Sequence, residues 1–280
     1  MAACWFCPGS WLPGKGATKT VPDQSGISQS SRRENRWIKI TRTLQSDVIT
    51  RRSLLLLPIP VLFAAPTGKF SSQLWSSITE IYAQTLRHPF LTGLADGTLA
   101  KEKFEFYLKQ DSLYLVAFAE ALGVLASKAP RVDWMMTLNQ HAIDSVKTER
   151  ELHESILRGA SASKMAPVNY AYSNHFLATV HRKSFAEGLC ALLPCYWIYW
   201  EVGKELKKRG SKNADYRKWI DQYAGEGYGK TVQLVLDMID EESKRLDADR
   251  KQACVDLFVT SSRYEYLFWD MAWRLEAWKP

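Results

Sequence analysis

Residues 66–280 carry apolar side chains that recur at helical spacing, and no segment alternates like a strand over a useful length. The few glycines and prolines of this region fall between the periodic stretches, where helices end. We therefore predict an all-α bundle of about seven helices. The predicted helices cover residues 70–86, 101–128, 131–158, 167–182, 185–208, 214–247 with a break near Gly225–Gly229, and 250–278.

The net charge of +7 lies almost entirely at the amino-terminal end. Residues 1–65 hold three Lys and six Arg against three acids, whereas residues 66–280 hold 28 basic and 27 acidic side chains. A nearly neutral body gives no reason to expect a nucleic acid as partner. Five Cys in 280 residues are too few for a disulfide scaffold.

Residues 1–47 show neither helical nor alternating periodicity. Cys4 and Cys7 have the spacing of a metal or redox pair, but no second pair or nearby His completes a zinc site. We interpret the pair as fortuitous. The predicted organisation is a non-globular extension over 1–65, followed by a helical catalytic domain over 66–280.

Residues 48–65 have the layout of an export signal. Arg51 and Arg52 form a positive start, an apolar run follows over 53–63, and two small residues, Ala64–Ala65, offer a cleavage site. The run is shorter than the roughly 20 residues of a membrane span, so no stable membrane anchor is expected. The paired arginines resemble a bacterial twin-arginine signal and predict a periplasmic protein.

This signal would normally begin near the start of a chain. A chain that begins near Val48, after a mis-assigned extension over 1–47, explains the position. Two other interpretations stay open: an organelle transit peptide over 1–65, and an apolar linker in a cytoplasmic protein.

The helix predicted over 185–208 places Cys195 and Tyr199 four residues apart, so both lie on one face. Pro194 removes a backbone hydrogen bond beside the cysteine and is expected to kink the helix there. Such a helix could line a pocket with a thiol. The alternative is a cysteine that packs in the core as a small apolar side chain.

Two acidic residues lie on otherwise apolar or aromatic helix faces. Asp111 shares a stripe with Tyr114 and Phe118, and Glu265 stands between tyrosines with Trp269 four residues on. A carboxylate in such a place is costly unless it is hydrogen-bonded, and burial raises its pKa toward neutrality. Exposed positions at the edge of each stripe are the alternative.

Five strings follow one another along the chain: HPFLTGLADGTL, YLKQDSLYL, ALLPCYWIYWEVG, KWIDQYAG and SSRYEYLFWDMAW. In this order and with these gaps, they resemble the TenA / thiaminase II family over roughly residues 70–280. The resemblance implies a heme-oxygenase-like helical fold and a homotetramer. It implies hydrolysis of aminopyrimidines (4-amino-5-aminomethyl-2-methylpyrimidine) and thiamin to hydroxymethylpyrimidine in thiamin salvage, with no metal and no organic cofactor.

The resemblance also assigns roles to residues. It makes Cys195 the nucleophile and Glu265 the catalytic acid and base, and it places Asp111 at the amino edge of the pyrimidine. The residues implied to stack on the ring or to position the thiol and substrate are Tyr114, Tyr172, Tyr199 and Tyr223. The family is usually cytoplasmic, so the export-like segment over 48–65 departs from its pattern.

Two other functions stay open. A metal oxidase on the same architecture needs carboxylates and histidines at ligand spacing, and no Glu-x-x-His motif occurs in the chain. An exported protein could also bind thiamin or a pyrimidine without turnover. Cys195 together with Glu265 favours the hydrolase, because binding alone needs neither a nucleophile nor an acid.

Overall fold

The computed structural model describes residues 68–157 and 164–280, and the side chains of 148–156 are not among those described. The predicted extension over 1–65, with its export-like segment and its cysteine pair, lies outside these residues. The helices are α1 (Phe70–Ser77), α2 (Thr79–Arg87), α3 (Pro89–Asp96), α4 (Lys101–Ser127), α5 (Val132–Leu157), α6 (Pro167–Arg182), α7 (Phe185–Arg209), α8 (Ala214–Tyr223), α9 (Glu226–Glu242) and α10 (Ala248–Arg274).

The predicted all-α class is confirmed, since the described residues form helices and no strands. The predicted break near Gly225–Gly229 is confirmed at Ala224–Gly225, whereas the break at Ile78 was not predicted, and the last helix ends at Arg274 rather than at residue 278. The structure also adds α3, which the sequence analysis did not predict. The helices therefore outnumber the seven predicted, although each predicted segment is helical over most of its length.

Local chemistry explains where α3 begins and ends. Pro89 stands at its first position, where the missing N–H costs nothing, and the Nδ1 atom of His88 accepts a hydrogen bond from the Phe90 N–H at 3.2 Å. Gly97 ends the helix with φ of 77°, a conformation that glycine adopts without strain. Eight residues are too few to show a clear helical period in the sequence.

Helix α7 runs without interruption from Phe185 to Arg209 through Pro194. Its start is fixed by a reciprocal capping box between Ser184 and Glu187, and its end by Gly210 with φ of 76°. The basic residues Lys207, Lys208 and Arg209 fill its last turn, where positive charge is favourable. This helix packs against α10, α6, α8 and α9, so its residues reach most of the core.

A cluster of large aromatic rings fills the core between α4, α7, α8 and α10. Tyr107, Trp219 and Trp269 are fully buried, and the ring centroids of Tyr107 and Trp269 lie 5.1 Å apart in a stacked arrangement. Rings that are packed this densely leave little room for movement, so the cluster fixes the four helices relative to one another. Among the described helices, none has both the length and the apolar character that spanning a bilayer requires.

Candidate active site

Glu265 is a buried carboxyl group on α10, with 1% of its surface exposed. The Tyr172 hydroxyl donates a 2.6 Å hydrogen bond to its Oε1 atom. Burial raises the pKa of Glu265 to about 8; the hydrogen bond from Tyr172 lowers that pKa, and the nearby charge of Asp111 raises it. Glu265 therefore holds a proton at neutral pH and can give it to a bound molecule.

Asp111 is the second buried carboxyl group, on α4, with 3% of its surface exposed. Its charge acts on Glu265 and also raises the pKa of the buried Tyr199 hydroxyl, for which burial is the larger cause. The alternatives that placed Asp111 and Glu265 at the exposed edges of their helices are therefore wrong. Two acids from two helices face the same interior space.

Cys195 is partly exposed on α7, and its sulfur forms no disulfide bond. The buried Tyr114 hydroxyl lies beside it. Burial raises the pKa of Tyr114 well above its ordinary value, and the charges of Cys195, Tyr172 and Glu265 raise it further. The Tyr228 hydroxyl donates to the Cys195 carbonyl oxygen at 3.3 Å and ties α9 to this point of α7. Cys195 packs against the core while part of its surface stays exposed.

The four tyrosines singled out in the sequence are all buried, and they form two contacting pairs. The ring centroids of Tyr114 and Tyr172 lie 5.3 Å apart, and those of Tyr199 and Tyr223 lie 4.9 Å apart. The Tyr172 hydroxyl donates a hydrogen bond to Glu265, and the charges of Glu265 and Asp111 raise the pKa of the Tyr199 hydroxyl. The structure thus brings all seven predicted site residues into one connected group from five helices.

A close backbone approach holds Tyr223 in this group. A Cβ atom on Gly203 of α7 would stand 2.7 Å from the Tyr223 carbonyl carbon, closer than real Cβ atoms come. Glycine at this position therefore allows the end of α8 to approach α7.

Three residues that the sequence analysis did not single out support the group. The Tyr107 hydroxyl donates to the Tyr199 hydroxyl at 3.3 Å. The Gln110 Oε1 atom accepts from the Ala166 N–H at 2.8 Å and from the Asn169 side chain at 3.0 Å, which holds the start of α6 against α4. Tyr107 could have been found, because it stands four residues before Asp111 on one face. The Gln110–Asn169 contact joins distant segments and leaves no local signal.

A cavity of about 450 Å³ opens beside Cys195, between α4, α5, α7, α8 and α9. Among the side chains that the structure describes, no three of His, Cys, Asp or Glu lie together in a way that could hold a metal ion. The arrangement therefore consists of a thiol at the edge of a cavity, with a protonated carboxyl group, an aspartate and aromatic rings behind it.

Comparison with known proteins identifies the family. The model of the TENA/THI-4/PQQC family matches residues 75–275, which is well over half of the chain. The chain belongs to the TENA/THI-4/PQQC family. The prediction drawn from the five sequence strings is confirmed.

Two named proteins and one solved structure illustrate the similarity. The aminopyrimidine aminohydrolase of Bacillus subtilis (strain 168) is 35% identical over 217 residues, which is 75% of this chain and 92% of that protein. The aminopyrimidine aminohydrolase of Halalkalibacterium halodurans is 32% identical over 218 residues, which is 75% of this chain and 97% of that protein. A TenA homologue from P. horikoshii OT3 has a TM-score of 0.69 at 32% identity, over 74% of this chain and 99% of that one.

A more distant structure bears on the fold alone. A domain with a heme oxygenase-like fold from Shewanella denitrificans OS217 has a TM-score of 0.56 at 13% identity, over 73% of this chain and 92% of that one. The heme-oxygenase-like architecture implied by the sequence resemblance is confirmed.

Proposed function

We propose that this protein is a thiaminase II-type hydrolase, which cleaves aminopyrimidines and thiamin to hydroxymethylpyrimidine in thiamin salvage, with Cys195 as the nucleophile. The observation that carries the proposal is that the Cys195 thiol and Glu265, a carboxyl group whose pKa is raised to about 8, both act on the buried hydroxyls of Tyr114 and Tyr172. The two relatives described above carry the name of this activity.

The first step uses the proton of Glu265. A pyrimidine ring nitrogen that receives this proton draws electrons from the neighbouring ring carbon, which becomes electrophilic. The Cys195 thiolate adds to that carbon, so a C–S bond forms and the C–N π electrons move to the protonated nitrogen. Tyr172, which donates to Oε1 of Glu265, leaves the Oε2 atom for the proton that is transferred.

The second step expels the leaving group. The 4-amino nitrogen supplies an electron pair, the exocyclic C–N bond breaks, and the amine or thiazole departs with the bonding electrons. The amino nitrogen now carries positive charge, which the buried carboxylate of Asp111 can stabilise. Water then adds to the exocyclic methylene and loses a proton, the ring electrons return, and the thiolate and the ring proton leave.

Incubation with substrate tests the proposal. We expect the purified protein to release hydroxymethylpyrimidine from both thiamin and 4-amino-5-aminomethyl-2-methylpyrimidine, over many turnovers, as measured by chromatography with mass detection. A binding protein without turnover would retain the substrate in stoichiometric amount and release no product, and that result would overturn the proposal.

Asp111→Asn is expected to raise the Kd of ligands that carry the 4-amino group by about 10-fold or more. The physical reason is the loss of a charged acceptor, which is worth roughly 1.5–3 kcal/mol in a buried hydrogen bond. The measurement compares Kd for hydroxymethylpyrimidine with Kd for its 4-oxo analogue, in the wild type and in the variant. An equal loss for both ligands would show that Asp111 does not contact the amino edge.

We further propose that residues 48–65 act as a twin-arginine export signal, based on Arg51, Arg52 and the apolar run that follows. Fractionation of the native host and amino-terminal sequencing are expected to yield a periplasmic protein that starts near Pro66. The double substitution Arg51→Lys/Arg52→Lys is expected to retain the chain in the cytoplasm. A full-length cytoplasmic chain that the substitution does not affect would contradict export and leave the activity untouched.

A homotetramer is also part of the proposal. Four exposed apolar residues, Val132, Met135, Met136 and Ile143, lie on α5, and Leu234 is exposed on α9. Apolar side chains that stand together at a surface are typical of contacts between protein chains. Light scattering on the eluting protein is expected to give the mass of four chains, and a monomer mass would contradict it.

A further inference from the structure

We propose that the segment after α10, residues 275–280, holds the start of α6 and thereby positions Tyr172 against Glu265. Glu276 and Trp278 are the positioning residues of this segment, which is called the returning segment below. The inference rests on the proposed function, because it identifies what keeps the hydrogen bond of the catalytic acid in place. Both residues act through Tyr172 rather than on the substrate.

The backbone leaves the helical path where α10 ends. Leu275 has a φ of 52°, in the left-handed region that residues other than glycine rarely adopt. A leucine keeps this conformation only where its surroundings fix it. The Glu276 N–H donates to the Met271 carbonyl oxygen at 3.0 Å, a bond that closes the end of the helix. The returning segment therefore follows a defined path away from α10.

Two side chains of the returning segment bind the start of α6. Glu276 accepts a hydrogen bond from the Val168 N–H at 3.0 Å, on its Oε2 atom. Val168 stands in the first turn of α6, where an N–H lacks a partner within the helix and negative charge is favourable. The Trp278 Nε1–H donates to the Met165 carbonyl oxygen at 2.9 Å, and its ring meets that of Tyr170 edge-on at 5.9 Å.

Helix α4 holds the same stretch of chain. The Ala166 N–H donates to Gln110 Oε1 at 2.8 Å, and the Asn169 side chain donates to the Gln110 carbonyl oxygen at 2.8 Å. Gln110 directly precedes the buried Asp111. The start of α6 is thus bound both to the helix that carries one site carboxyl group and to the segment that follows the helix carrying the other.

The position of α6 decides the hydrogen bond to the catalytic acid. Tyr172 lies four residues after Val168, one helical turn away, and donates to Glu265 at 2.6 Å. A bond this short weakens with a small displacement of either helix. Further along the same two helices, His175 Nε2 lies 3.2 Å from Ser261 Oγ, so α6 stays attached to α10 when the returning segment is altered.

The experiment removes both side-chain contacts in the double variant Glu276→Ala/Trp278→Ala. We expect kcat to fall by about 2- to 10-fold, the effect of weakening one hydrogen bond. The Tyr172 hydrogen bond lowers the pKa of Glu265, whereas burial and the charge of Asp111 raise it. Weakening that bond raises the pKa, so the fall of the rate near pH 8 should move to higher pH.

Two single variants serve as controls. Glu276→Gln keeps an oxygen that can accept the Val168 N–H, so it is expected to retain the wild-type pH profile. Asp247→Asn alters another acid that accepts a backbone N–H at the start of a helix, from Arg250 at 2.9 Å. Asp247 lies at the opposite end of α10 from the returning segment, so this variant is expected to lose stability without a change in the pH profile.

A double-mutant cycle tests whether the effect passes through Tyr172. In a Tyr172→Phe background, Glu276→Ala/Trp278→Ala is expected to cause no further shift of the pH profile, because the bond is already absent. An equal further shift in that background would overturn the inference. So would an unchanged pH profile in the double variant, even with a lower melting temperature.

An infrared titration separates this inference from the proposed function. The C=O band of the protonated Glu265 carboxyl group, assigned by its loss in Glu265→Gln, reports the same pKa without turnover. A wild-type protein without turnover would overturn the proposed function, while a higher infrared pKa in the double variant would still support positioning by the returning segment. An infrared pKa equal to that of the wild type would overturn that positioning.

Discussion

Cys195→Ser is expected to reduce turnover of thiamin and of aminomethylpyrimidine to the limit of detection, with substrate still bound. A thiolate is a strong nucleophile near neutral pH, whereas a serine hydroxyl without an adjacent base stays protonated and reacts far more slowly. The measurement is the steady-state rate of hydroxymethylpyrimidine release, together with Kd for the product. Because Cys195 is partly exposed, the smaller oxygen atom should leave the melting temperature nearly unchanged.

Cys190→Ala is the control for the loss of a thiol from the same helix. Cys190 is fully buried five residues before Cys195, and burial raises the pKa of its thiol well above the ordinary value, with Cys254 as a further cause. This variant is expected to keep its activity and to lose some stability from the small cavity it creates. Substantial activity in Cys195→Ser would show that no covalent step passes through that residue.

Glu265→Gln is expected to lower kcat by about 10²- to 10⁴-fold, the range for the loss of a general acid. Glutamine keeps the size of the side chain and an oxygen that can accept the hydrogen bond from Tyr172, but it has no proton to transfer. In the wild type the protonated form is the active one, so the rate should fall as pH rises through about 8. If kcat of the variant falls less than threefold and keeps that pH dependence, a group other than Glu265 is the general acid.

The same carboxyl group also affects stability. Its pKa is about 8 in the folded chain and roughly 4.3 in an unfolded one. The stability that Glu265 contributes is therefore complete below pH 4 and is lost progressively as pH rises to about 8. We expect the melting temperature of the Gln variant, measured from pH 5 to 9, to rise relative to that of the wild type as pH rises. A constant difference across that range would contradict a raised pKa.

The sequence predicted which site residues share a helix face, because that relation depends only on spacing along the chain. Cys195 and Tyr199 are four residues apart, and Asp111 and Tyr114 are three apart. The same pattern could not decide whether Asp111 and Glu265 are buried, since a stripe edge is covered or exposed according to which helices pack on it. Helical periodicity does not show which residues of different helices lie together. The family resemblance supplied that information, because it assigned residues of several helices to one site.

The parts that sequence analysis missed are short or depend on distant contacts. The helix Pro89–Asp96 is too brief for a period, and the break at Ile78 has no Gly or Pro to mark it. The hydrogen bonds between Gln110 and Asn169 join residues that are 59 positions apart, so their partners are known only from the folded chain.

Hydrolysis in ¹⁸O-labelled water tests the central claim most directly. The account predicts that the pyrimidine released from thiamin carries one ¹⁸O atom in its hydroxymethyl group and keeps its 4-amino nitrogen, as tandem mass spectrometry can show. The label follows from the attack of water on the exocyclic methylene after the leaving group has departed. Label at ring position 4 with loss of the amino group, or a product without label, would contradict the account.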